Sequence, residues 1–137
     1  MIQRIQTVYL LLAALAIILF LFVPFGVINY NNESLVLKGK MNIVLVIIIA
    51  LIALIDLAAI FLFKNRVNQM RVVSVAIGLS LIFLGFMIYG VVRHSLYDEF
   101  RPQPGVILPV FVVIFNFLAQ RSIKHDENLV RSMDRLR

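Results

Sequence analysis

Four apolar runs dominate this chain and limit what it can fold into. The first extends from about Ile5 to Val23 and is closed by Pro24 and Gly26. The second extends from about Met41 to Phe63, the third from about Val72 to Val92, and the fourth from about Val106 to Ala119. The first three reach the roughly 20 residues that a helix needs to cross the hydrocarbon core of a bilayer. The fourth is shorter and spans if Pro104 and Gly105 lie at the interface while Arg121 and Lys124 snorkel. Backbone in lipid must satisfy its own hydrogen bonds, so the runs predict helices. A barrel would require alternating polarity, which they lack.

Composition supports this reading. Of 137 residues, 62% are hydrophobic and 15% charged, more apolar surface than a small soluble globule can hide. Mean hydropathy is +1.00. Cysteine is absent, which removes disulfide and thiol chemistry. The expected fold is therefore an all-α bundle of four transmembrane helices (about 5–23, 41–63, 72–92 and 106–120). A membrane domain is expected over 1–123 and a cytoplasmic helical extension over 124–137. The first run is read as an uncleaved helix, because no small-x-small cleavage site follows Val23.

Charge predicts the orientation. Arg4, Lys64, Arg66, Arg71, Arg121, Lys124, Arg131, Arg135 and Arg137 fall on one side, and Lys38, Lys40, Arg93 and Arg101 on the other. The richer side is expected to be cytoplasmic, with both termini there. On the opposite side, residues 24–40 form either a small hairpin turning at Asn31-Asn32 or a plain loop. Pro102 and Pro104 keep the end of the second outer loop non-helical. Pro109 falls in the first turn of the last helix if that helix begins near Ile107. Neither Gly nor Pro occurs from Val110 to Arg137, so this helix is expected to continue into the cytoplasm as one rod.

Asp56 is the one acidic residue inside an apolar run, about 12 Å from the inner boundary marked by Lys64. A carboxylate at such depth costs roughly 2.5–3.5 kcal/mol on insertion scales unless it is paired or protonated. Matching depths along the helices suggest Ser80, Asn116, Thr7 and Tyr9 as companions in an inward polar cluster. The cluster reads either as a proton or cation site or as interhelical glue that sets register. Ser74, Gly78 and Gly85 lie within about 40° of one another on the third helix and form a small-residue face for close helix packing. The partner for that face is in this chain or in another.

The tail alternates Ile123, Leu129, Val130, Met133 and Leu136 with charge, including Arg121, Lys124, Arg131, Arg135 and Arg137. It reads as an amphipathic helix on anionic lipid, as a docking helix for a protein partner, or as a solvated extension that sets orientation. Acids offset the bases, and no nucleic-acid motif is present. Neither an HExxH motif, a glycine-rich phosphate loop nor a nucleophile elbow occurs, so no enzyme activity, cofactor or metal is expected. His94 and His125 fall on opposite sides of the membrane in this topology and would not share a metal.

The opening Met1-Ile-Gln-Arg-Ile-Gln-Thr-Val-Tyr-Leu-Leu-Leu-Ala-Ala and the ending Lys124-His-Asp-Glu-Asn-Leu-Val-Arg-Ser-Met-Asp-Arg-Leu-Arg137 resemble a bacterial family of small four-helix membrane proteins catalogued as a domain of unknown function. The resemblance implies four membrane helices and a Gram-negative inner membrane, and it carries no catalytic or binding residue. Two functions are expected as alternatives. One is a non-enzymatic accessory or scaffold subunit docking a partner or lipid through the basic tail. The other is a small transporter or channel subunit using Asp56.

Overall fold

The computed structural model describes residues 3–30, 33–97 and 99–134. Four helices carry most of the chain: α1 (Gln3–Leu19), α2 (Ile43–Phe61), α3 (Arg66–Tyr97) and α4 (Leu108–Asp134). Three of them, within Ile43–Lys64, Arg66–Arg93 and Pro104–Val130, are long and apolar enough to cross a membrane, and α1 contributes a shorter apolar helix over Ile5–Leu19. Each helix packs against its sequence neighbours, and α4 closes the ring against α1. The helices therefore form a square, with α2 and α4 on one diagonal.

One repeat runs through all four helices. At the first corner the stripe runs through the buried Gln6, Leu10, Ala13, Ile17 and Phe20, widened by Ala14 and Ala16. At the second it runs through Leu45, Ile49, Ile52, Asp56 and Ala59, widened by Ala53, and at the third through Gln69, Val73, Ala76, Ser80, Phe83 and Met87. Along α4 it runs through Pro109, Val112, Asn116, Ala119, Ile123 and Asp126. Steps of three and four residues keep one stripe facing inward, the seam of a left-handed bundle. Among the described residues, the six buried polar ones (Gln6, Asp56, Gln69, Ser80, Asn116 and Asp126) all sit on it. The outward positions are large and apolar: Phe61, Ile82 and Ile43 are among the most exposed side chains of the bundle. A contiguous apolar exterior of this kind suits a lipid surrounding.

The chain is not all-α. Strands β1 (Pro24–Tyr30), β2 (Glu33–Lys38) and β3 (Glu99–Pro102) form an antiparallel sheet in the order β2-β1-β3. Of the two readings of residues 24–40, the hairpin is the one formed, with Tyr30 opposite Glu33. Its turn residues, Asn31 and Asn32, lie outside the described residues. β3 is the unexpected strand. Phe100 pairs with Ile28 and lays its ring where a Cβ on Gly26 would be, which explains a glycine in the central strand. Gly105, in the 3-10 turn before α4, has the stricter requirement: a Cβ there would stand 2.5 Å from the backbone oxygen of Pro24.

The helix ends follow local chemistry. The Asn42 side chain accepts a hydrogen bond from the Val44 N–H (2.9 Å), and Asn65 accepts one from Asn68 (3.2 Å). With Asn65 as a cap, α3 begins at Arg66. The expected link over 64–71 thus contracts to a 3-10 turn at Leu62–Lys64 plus one residue. Pro109 falls in the first turn of α4, which then runs without a break. The expected boundary at 123/124 lies inside this helix and marks no structural change.

Candidate functional site: buried polar pairs along the seam

Asp56 and Asn116 face each other across the diagonal of the bundle, both with 0% of their surface exposed. The Asn116 amide donates from Nδ2 to Asp56 Oδ2 at 3.4 Å. Asp56 Oδ1 and Asn116 Oδ1 are buried without a hydrogen-bond partner. The pair is thus closed on one edge and open on the other. A proton carried by the carboxyl would supply a donor to that open edge, and an ionised carboxyl would leave two buried acceptors without one.

The other expected members of the cluster have different surroundings. Ser80 is buried on the seam of α3, where its hydroxyl donates to the Ala76 carbonyl at 2.7 Å, a bond within its own helix. Thr7 is half-buried on α1. Tyr9 packs on the cluster of Leu10, Ala59, Val73, Ala119 and Ile123 and lines a groove with Arg121, Lys124 and His125. Equal depth along separate helices is therefore not contact, because the azimuth of each side chain decides what it meets.

A second polar group, at the end of the bundle where α4 leaves it, was not foreseen. Asp126 is 5% exposed and accepts a hydrogen bond from the Gln6 side chain of α1. Arg66, the first residue of α3, donates from Nη1 to the backbone oxygen of Asp126 at 3.1 Å. Gln69, also buried, donates to the Ala59 carbonyl at 3.0 Å and so satisfies one of the orphan carbonyls at the end of α2. These bonds tie α4 to α1 and α3, and α3 to α2. The sequence did hold a signal for Asp126: continuing the three-four steps from Asn116 through Ala119 and Ile123 arrives at it.

The small-residue face behaves differently from expectation. A Cβ at Gly78 or Gly85 would meet nothing within 4 Å, so neither glycine receives a neighbouring helix from this chain. Ser74 is a polar bridge: its hydroxyl donates to Met70 O at 2.9 Å and accepts from Gln120 Nε2 of α4 at 2.6 Å. Of the tail residues, Arg121 and Lys124 lie between two open grooves that flank α4, one against α1 and one against α3. Arg135 and Arg137 lie outside the described residues, as does the side chain of Arg131.

A family described as a domain of unknown function (DUF4293) matches residues 2–136. The chain belongs to that family. The match covers the bundle, the sheet and the extension of α4 as one unit, so none of these is an appendage to a separate domain. The comparisons with curated proteins and with solved structures return no match.

Proposed function

We propose that the chain is a multi-pass protein of a bacterial inner membrane, with all four helices embedded and both termini cytoplasmic. In this reading it is a non-enzymatic accessory or scaffold subunit that presents the basic extension of α4 to a protein partner or to anionic headgroups. The observation that carries the reading is the anchoring of that extension. α4 continues past its apolar part without a break, and Asp126 is bound to Gln6 while Arg66 holds the backbone at the same turn. The following turns are thus held at a set angle to the bundle, as a docking element requires. Nine basic residues on that side against four on the other support the orientation.

The test is a truncation that spares the anchor. Removing residues 128–137 keeps Asp126 in place, whereas a deletion from 124 onward would remove a core residue together with the tail. Mild-detergent purification of the full chain is expected to retain a stoichiometric partner that the 128–137 truncation loses, with both proteins equally abundant in the membrane. A partner retained by the truncated protein would overturn docking through the tail.

A second reading is favoured by the open edge of the Asp56–Asn116 pair. Two unpartnered oxygens at the centre of the bundle are what a small transporter or channel subunit would use to take up a proton or cation. Asp56→Asn then abolishes flux across reconstituted vesicles while leaving the fold intact. Unchanged flux, or loss of stability alone, leaves the pair as interhelical glue.

A further inference from the structure

At the sheet end, α2 and α3 flank a half-open cavity of about 380 Å³ beside the strands. This is within the roughly 300–1,000 Å³ typical of ligand pockets. Its walls are Phe25, Met41, Phe86, Met87 and Phe100, with Gly90 leaving the space open on α3. The walls are held from behind. Phe25 stacks on the buried Phe20 ring at 5.4 Å, and Phe20 meets Phe83 edge-on at 5.4 Å. Phe100 is buried over Gly26.

The polar groups in the lining are few. Asn42 uses its side-chain oxygen to cap α2 through Val44 N. Lys38 remains as the one charged group, and no acidic side chain lines the cavity among the described residues. A largely apolar groove of this kind, open towards Met41 and Phe86, favours apolar matter over polar ligands. In a bilayer the transfer of a chain from lipid into such a cavity has little hydrophobic driving force, so shape and the single cation must select the occupant.

We propose that this cavity holds one acyl chain of an anionic phospholipid from the leaflet at the sheet end, with the headgroup phosphate at Lys38. The site is independent of the tail and rests only on the membrane-embedded reading. An apolar slot with one cation at its rim matches an amphiphile that has one anionic head. A zwitterionic lipid would bring an extra cation beside Lys38.

The test uses the full-length protein in phosphatidylcholine vesicles containing either phosphatidylglycerol or phosphatidylcholine with a photoactivatable chain. Adducts are mapped by peptide mass spectrometry, and the lipid-facing Ile82 serves as the reference position. The expected result is strong labelling of the buried Met87 and Phe100 by the anionic probe, well above the zwitterionic one. A Cβ at Gly90 would meet nothing within 4 Å, and Gly90→Leu extends from there into the cavity, so it is expected to remove these adducts and leave those at Ile82. Val91→Phe narrows the same slot and checks that result should the leucine disturb folding. Lys38→Gln is expected to remove the preference for the anionic probe. Adducts at the cavity that persist in both filled variants, or equal labelling by the two probes in the parent protein, would overturn the site. Absence of label at Ile82 as well would overturn membrane embedding itself and separates the two failures.

Discussion

At the sheet end the bundle is closed by rings, and at the opposite end by amides and a carboxylate. Phe20, Phe25 and Phe83 interlock there with Ile49, Ile52 and Met87, while Gln6, Asp126, Arg66 and Gln69 join the helices at the other end. Both ends continue the same inward stripe. They differ because ring packing is forgiving of direction and leaves a cavity between α2 and α3, whereas hydrogen bonds hold defined atoms together. The polar end is therefore suited to hold a protruding helix at a set angle. The aromatic end is suited to support a sheet and flank an apolar guest.

The largest way to break this comparison is at Phe20. Phe20→Ala removes a fully buried ring that joins α1, β1 and α3 and is expected to cost about 3–5 kcal/mol. Unfolding of the detergent-solubilised protein measures it, and a cost below that of Asp126→Ala would reverse the assignment of the sheet end as the tighter core. Asp126→Ala leaves the Gln6 amide buried without its acceptor and is expected to cost about 1–3 kcal/mol. Lys124→Ala, on the exposed side of the same helix, supplies the reference; equal effects would mean that the buried contact contributes nothing. The smallest effect is expected at the centre. A double-mutant cycle of Asp56→Leu and Asn116→Leu is expected to give a coupling near 0.6 kcal/mol, the average for hydrogen bonds between membrane helices. Coupling indistinguishable from zero would remove the pair from the list of contacts that set register.

The two buried carboxyl groups show what makes a residue legible. Asp56 stands among leucines and isoleucines, so its isolation identifies it in the sequence, and Asn116 follows by depth. Asp126 stands among Lys124, His125 and Glu127, where its charge does not single it out and only the three-four spacing from Asn116 points to it. Its burial depends on α1 reaching that far along α4. Gly78 and Gly85 illustrate the converse: spacing placed them correctly on one face, but no helix of this chain comes to it. In the same way, β3 is four residues at the end of a charged loop and becomes a strand because β1 offers it an edge.

What the sequence determined by itself is the class of the molecule: the apolar runs and the helices they must form, whereas it left residues 24–40 open between a hairpin and a loop. Those features are local, since hydropathy and backbone hydrogen bonding act within a run of about 20 residues. The tertiary structure alone decided which face of each helix points inward. Where nearly every position is apolar, hydropathy cannot mark that face. The three-four stripe emerges only when four helices pack and leave one side of each in contact with the others. The partners of Asp56, Gln6 and Asp126, the third strand and the cavity beside it all follow from that choice of faces.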